Sequence, residues 1–189
     1  MKKIIIAFTF SFLLSGQAAA KDATDQAINI CALAIPMFNQ YIVNYEYLHD
    51  QTHGLGVRLE YAPMSDEFID ATGVALALNY RWHISKSMDS IFVGVYTRYR
   101  VNTGTGTVEG TAFEFTRPEL TAGLNVGKRW TWDNGFNTLF SLGYGASMVT
   151  EDLTPKNASI DAALTTFKND NDTFFDAPFY GEFSIGYAF

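Results

Sequence analysis

Residues 179–189 read FYGEFSIGYAF. Phe179, Gly181, Phe183, Ile185, Tyr187 and Phe189 occupy alternate positions, and Tyr180, Glu182, Ser184, Gly186 and Ala188 lie between them. A period of two puts the two sets on opposite faces of one strand. One face is bulky and aromatic apart from a glycine, the other small or polar. A soluble sandwich turns its bulky face inward. Here the bulky face looks outward and the small, polar face inward, the pattern of a strand whose solvent is lipid.

The same pattern recurs upstream. Strands are predicted at 27–36, 41–47, 55–61, 74–82, 91–101, 118–132 and 136–148, with 179–189 as the last. The first, AINICALAIP, is mostly apolar and has no clear phase. In the others one set of alternate residues is apolar, as in Tyr41, Val43, Tyr45 and Tyr47, or Leu55, Val57, Leu59 and Tyr61. The intervening set includes Glu46, Arg58, Glu60, Arg81 and Asn125. Asp133-Asn134-Gly135 is a strong hairpin signal. Connections at 48–53, 83–90 and 133–135 are short. Those at 62–73, 102–112 and 149–177 are longer, and the first and last of these are acidic. An even strand count, short turns at one end and long loops at the other predict an all-β fold: an eight-stranded antiparallel up-and-down transmembrane β-barrel.

Two further features fit that expectation. Charge on a lipid-facing position costs about 2–4 kcal/mol at the midplane for Arg or Lys. Among the outward positions of these strands the one charge is Lys128, near a strand end where it can snorkel to headgroups. Trp82, Trp130 and Trp132 gather at the short-turn end with Tyr47, Tyr187 and Phe189, and Tyr41, Tyr61, Tyr99 and Phe179 at the other. These are two aromatic girdles.

The amino terminus carries Lys2-Lys3, an apolar run over 4–14, and an Ala-x-Ala site ending at Ala20. That is the pattern of a cleaved signal peptide, 1–20, leaving a single barrel domain over 21–189. The apolar run is too short for a spanning helix. Cys31 is the one cysteine, so no internal disulfide is expected and its role is packing. Without Lys2 and Lys3, 11 basic residues face 20 acidic ones, a net charge of −9. Such a balance argues against nucleic acid as a partner.

The inward face is predicted to collect Glu46, Glu60, Glu119 and Glu182 with Arg58, Arg81, Arg98, Arg100 and Arg129. An eight-stranded barrel is about wide enough for side chains to fill. These charges must therefore pair across the lumen, because an unpaired buried charge is costly. Their structural reading is a plug that holds the barrel's shape; their functional reading is a proton or ion path, or a gate of switching ion pairs.

No catalytic constellation, metal site or cofactor site is predicted. His49, His53 and His83 all fall on short turns. His49, Asp50 and His53 have a spacing that reads more simply as a solvated turn than as a metal site. Gly104-Thr105-Gly106 lacks the following helix that a phosphate loop needs. Within the last loop, 159–167 (SIDAALTTF) has helical apolar spacing at Ile160, Ala163, Leu164 and Phe167, with Ser159 as N-cap. Such a helix would lie on the barrel mouth or present a binding face, and its flanking aspartates read as a solvated loop or as cation bridges to lipopolysaccharide phosphate.

The terminal pattern of Glu182, Ser184, Tyr187 and Phe189 resembles the assembly signal of bacterial outer-membrane barrels, with Ser184 where glycine is usual. With NYEYL (44–48), LGVRLEY (55–61), VGVYTRYR (93–100) and GLNVGKRW (123–130), the chain resembles small Gram-negative outer-membrane barrels. It is closest to a family of uncharacterised function, similar in architecture to the outer-membrane protein A transmembrane domain. The resemblance implies an outer-membrane location, with membrane lipids, lipopolysaccharide and the barrel-assembly machinery as partners. It brings no catalytic residues. Two function classes stay open: a non-enzymatic barrel with a structural, adhesive or surface-contact role, and a lipid-A-modifying enzyme of the outer leaflet. A narrow ion or small-solute channel is a further alternative. A soluble lipocalin-like binder is disfavoured, because its faces would be the reverse of these.

Overall fold

The computed structural model describes residues 24–65, 67–150, 152–154, 158–170 and 179–189. The leader expected at 1–20 lies outside them. Eight antiparallel strands form a closed ring: β1 (Gln26–Cys31), β2 (Tyr41–His49), β3 (His53–Ser65), β4 (Ile69–His83), β5 (Ile91–Val108), β6 (Thr111–Thr131), β7 (Phe136–Val149) and β9 (Phe179–Ala188). β9 pairs with both β7 and β1, for example Tyr187 with Phe136 and with Ile28, and this closes the barrel. Closure removes the free strand edges that neither water nor lipid handles well. A three-residue accessory strand, β8 (Asp152–Thr154), adds to the upper end of β6.

Several boundaries correct the sequence reading. The first strand ends at Cys31, and Ala34–Phe38 form a short helix, α1, that Asn39 closes in a left-handed conformation. Pro36 cannot donate to a sheet ladder, whereas early in a helix its missing N–H costs nothing. The segments 62–73 and 102–112, expected as loops, are mostly strand. β3 to β6 run on past the loop-side girdle as a sheet extension, and β5 and β6 turn on Glu109-Gly110, both at positive φ. That is the two-residue geometry that matches strand twist.

The Gly/Thr-rich run 103–107 reads like a loop in composition, yet its threonines face out and its glycines face in. Gly104 pairs with Phe115 and Gly106 with Phe113. A Cβ on either glycine would collide with its partner's ring, so the rings lie directly over the glycines. The same pairing recurs lower down, Gly123 under Tyr96 and Gly127 under Phe92. Four such covers tie β5 to β6 and offset the weakness of glycine in a strand.

The last connection carries the helix expected within it. It holds β8 and a helix, α2 (Ala158–Asp170). Ser159 lies inside the helix, so it is not the N-cap. Ile160 and Leu164 are buried against Ala62, Ile69, Ala71, Phe113 and Phe115 on the inward face of the extension. At the opposite end Met88, from the turn after β4, packs with Ala27, Leu48 and Ala188. Each mouth of the barrel thus has an apolar cluster, and the polar lumen lies between.

The outer wall is apolar. Leu55, Val57, Leu59, Leu76, Leu78, Val93, Val95, Leu124, Val126 and Leu142 are all exposed, and the tryptophans and tyrosines of the two girdles are exposed at its margins. No described helix is long and apolar enough to cross a membrane, and this says nothing of strands.

Candidate functional site: the ion-paired lumen

The inward positions of the strands converge on a core of charge. None of the nine lumen residues is more than 6% exposed. The structure joins seven of them in one chain of alternating sign. Arg129 Nη2 donates to Glu46 Oε2 at 2.5 Å, and Arg81 Nη1 donates to the same oxygen at 2.7 Å. Arg81 Nη2 reaches Glu182 Oε2 at 3.3 Å, which also lies 3.6 Å from Arg58 Nη1. Arg58 Nε donates to Glu60 Oε1 and Arg100 Nη2 to Glu60 Oε2, both at 2.6 Å. The sequence Arg129–Glu46–Arg81–Glu182–Arg58–Glu60–Arg100 draws on β6, β2, β4, β9, β3 and β5. It braces strands that share no ladder.

The remaining two form a separate pair. Arg98 Nη2 lies 3.4 Å from Glu119 Oε1, and the same carboxylate oxygen accepts from Thr121 Oγ1 at 2.9 Å and Ser147 Oγ at 2.7 Å. Neutral polar groups fill the spaces between charges. Asn44 Nδ2 and Ser184 Oγ each donate to Glu182 Oε1 at 2.8 Å. Asn29 donates to Asn137 at 2.6 Å, and Asn125 to Asn79 at 3.1 Å. The Ser184 bond gives a local reason for serine at a position of the terminal pattern where glycine is usual, since glycine has no hydroxyl to offer.

Two basic lumen residues escaped the sequence reading. His83, expected on a solvated turn, is fully buried at the end of β4. Its Nε2 lies 2.9 Å from Glu46 Oε1, and its ring lies 5.6 Å from that of Phe92. The alternation Ala75, Ala77, Asn79, Arg81 runs on to His83, so the signal was present one residue past the assumed strand end. Arg117 is likewise buried, one residue before the assumed start of the sixth strand. The other two histidines do sit at the short turn between β2 and β3, where His49 pairs with His53 in register. His53 Nδ1 lies 2.6 Å from Tyr80 Oη. Among the described residues no three His, Cys, Asp or Glu side chains are grouped to hold a metal ion.

Lys128, the outward charge, pairs with Asp89 of the short turn and lies 5.9 Å from the Trp130 ring. Tyr187 and Phe189 of the terminal pattern face outward with their rings stacked at 6.4 Å. Cys31 is buried beside Ala34 and Ile42.

Chemically, the lumen is a set of buried ion pairs. Each acid meets at least one guanidinium, and breaking a buried pair from one side costs about 3–5 kcal/mol. No protein-family model matches the sequence, and no curated protein sequence matches it. Among solved structures the chain is similar to Acinetobacter baumannii CarO, with a TM-score of 0.40 and 9% identity over 89% of this chain and 98% of that one. It is similar also to Acinetobacter baumannii CarO2, with a TM-score of 0.43 and 7% identity over 88% of this chain and 98% of that one. Both likenesses are distant.

Proposed function

We propose that this chain is a non-enzymatic barrel of a bacterial outer membrane, with an ion-paired, side-chain-filled lumen and a structural, adhesive or surface-contact role at its loop side. One observation carries the reading: between the two girdles the charged residues face in, apart from Lys128 near the rim, and a largely apolar wall faces out. That inversion costs far too much in water and is what a bilayer selects. Membrane lipids and lipopolysaccharide are the partners of the wall. Glu182, Ser184, Tyr187 and Phe189 would serve the barrel-assembly machinery. A conducting path is disfavoured by the apolar clusters at both mouths.

Heat-modifiability tests this directly. Outer-membrane fractions run on SDS gels without boiling should show a compact band that shifts on heating. A protein found in the soluble periplasmic fraction, with no shift, overturns the membrane reading. Lipid-A mass spectra of a deletion strain test the enzymatic alternative; an altered spectrum would replace the non-enzymatic reading with that one.

A further inference from the structure

Above the loop-side girdle the outward face of the sheet extension changes character. Thr72, Thr103 and Thr116 are cross-strand neighbours on β4, β5 and β6, and the next outward row holds Asp70, Thr105 and Glu114. The inward residues between them, Ala71 and Phe115, are spent on the α2 cluster. The two rows line a pair of grooves of about 600 and 550 Å³ that share Asp70, Thr105 and Glu114. Phe68, at the edge of the second groove, is 61% exposed. No basic residue is among the residues lining either groove.

We propose that this face binds the neutral sugar chains that stand just outside the bilayer. Four threonine hydroxyls and two carboxylates are presented on a paired sheet, at the fixed spacing of about 4.8 Å between strands. Threonine is stiff at χ1, so little freedom is lost when its hydroxyl is engaged. Ser65 Oγ donates to Asp70 Oδ1 at 2.5 Å and holds that carboxylate in place. Carboxylates accept sugar hydroxyls in charge-assisted bonds, and the exposed Phe68 ring offers an apolar platform for the C–H face of a sugar ring. The missing basic residues select against sulfated or phosphorylated chains, which would meet Asp70 and Glu114 as like charges. The rows lie two and four residues beyond Tyr61 and Val74 in the ladder, about 7 and 13 Å along the strands. That places them directly above the apolar wall.

The source of the sugar rests on the membrane reading; sugar binding in micelles does not, so the two fail separately. The experiment uses the full-length barrel in detergent micelles on an array of neutral hexose, hexosamine and deoxyhexose oligosaccharides, beside sulfated and phosphorylated ones. Retention on neutral chains alone is expected. Glu114→Gln, Thr105→Val and Phe68→Ala should each weaken it about tenfold, the worth of one charge-assisted bond or ring contact. All three positions are exposed, and each variant's heat-shifted band confirms its fold. Retention of anionic chains over neutral ones, no retention at all, or retention unchanged in all three variants overturns the proposal.

Discussion

His83 and Glu46 meet in the lumen with Nε2 and Oε1 2.9 Å apart, and Gly54 on the neighbouring strand leaves the space for that contact. A Cβ at Gly54 would land on the Glu46 carboxylate and come within 3.1 Å of His83 Nε2. Gly54→Ala should therefore destabilise the barrel by about 1–3 kcal/mol, the range for overpacking a filled interior. Gly181→Ala is the control, because nothing lies within 4 Å of its would-be Cβ. Urea titrations of both variants refolded in lipid vesicles, followed by tryptophan fluorescence, check the pair. Equal midpoints would mean that the Glu46–His83 contact does not constrain the lumen.

Three basic side chains, Arg81, Arg129 and His83, reach Glu46. Glu46→Ala leaves Arg129 without its carboxylate partner and breaks the alternating chain at its short-turn end. A loss of about 3–5 kcal/mol is expected, because the cost is the uncompensated buried charge rather than the pair's own worth. Arg129→Met in the Glu46→Ala background should recover part of that loss. A double variant less stable than the single one would sink the ion-pair account.

The barrel was legible because period two, hairpin turns and girdle aromatics act at short range and are written into each strand alone. The inward and outward sets of 41–47 or 74–82 need no knowledge of neighbours. What stayed hidden depends on partners far along the chain. Thr103 to Thr107 look like a loop until Phe113 and Phe115 are seen to cover Gly106 and Gly104. The burial of His83 and Arg117 continues the alternation of β4 and β6 and was missed only because those strands run past the ends assumed for them. The separation of Arg98–Glu119 from the seven-membered chain depends on which side chains meet across the lumen, which alternation within a single strand does not carry.

Ile160 and Leu164 fix α2 to the inward face of the extension. Leu164→Asp places a charge in that cluster and should detach the helix, at a cost of about 2–5 kcal/mol for the lost aliphatic side chain. Limited proteolysis should then cut within 150–178 much faster than in the parent chain. The eight-stranded ring is untouched by this change, so the heat-shifted band should persist. Unchanged cleavage would show that the helix is held by something other than this cluster.

Leu124 tests the solvent of the outer wall. It is 66% exposed and paired with Val95 and Tyr144, midway between the two girdles. If that wall faces lipid, Leu124→Arg puts a guanidinium at the bilayer midplane, and folding into vesicles should weaken by about 2–4 kcal/mol. Lys128 on the same face of β6 sits near the rim and pairs with Asp89, so Lys128→Leu should change stability by less than about 1 kcal/mol. In water the ranking reverses, because arginine on an exposed strand position is benign and leucine is the liability. Vesicle refolding of the two variants side by side therefore discriminates the environments: a large loss at Leu124 with little change at Lys128 supports the bilayer, and no loss at Leu124 rejects it.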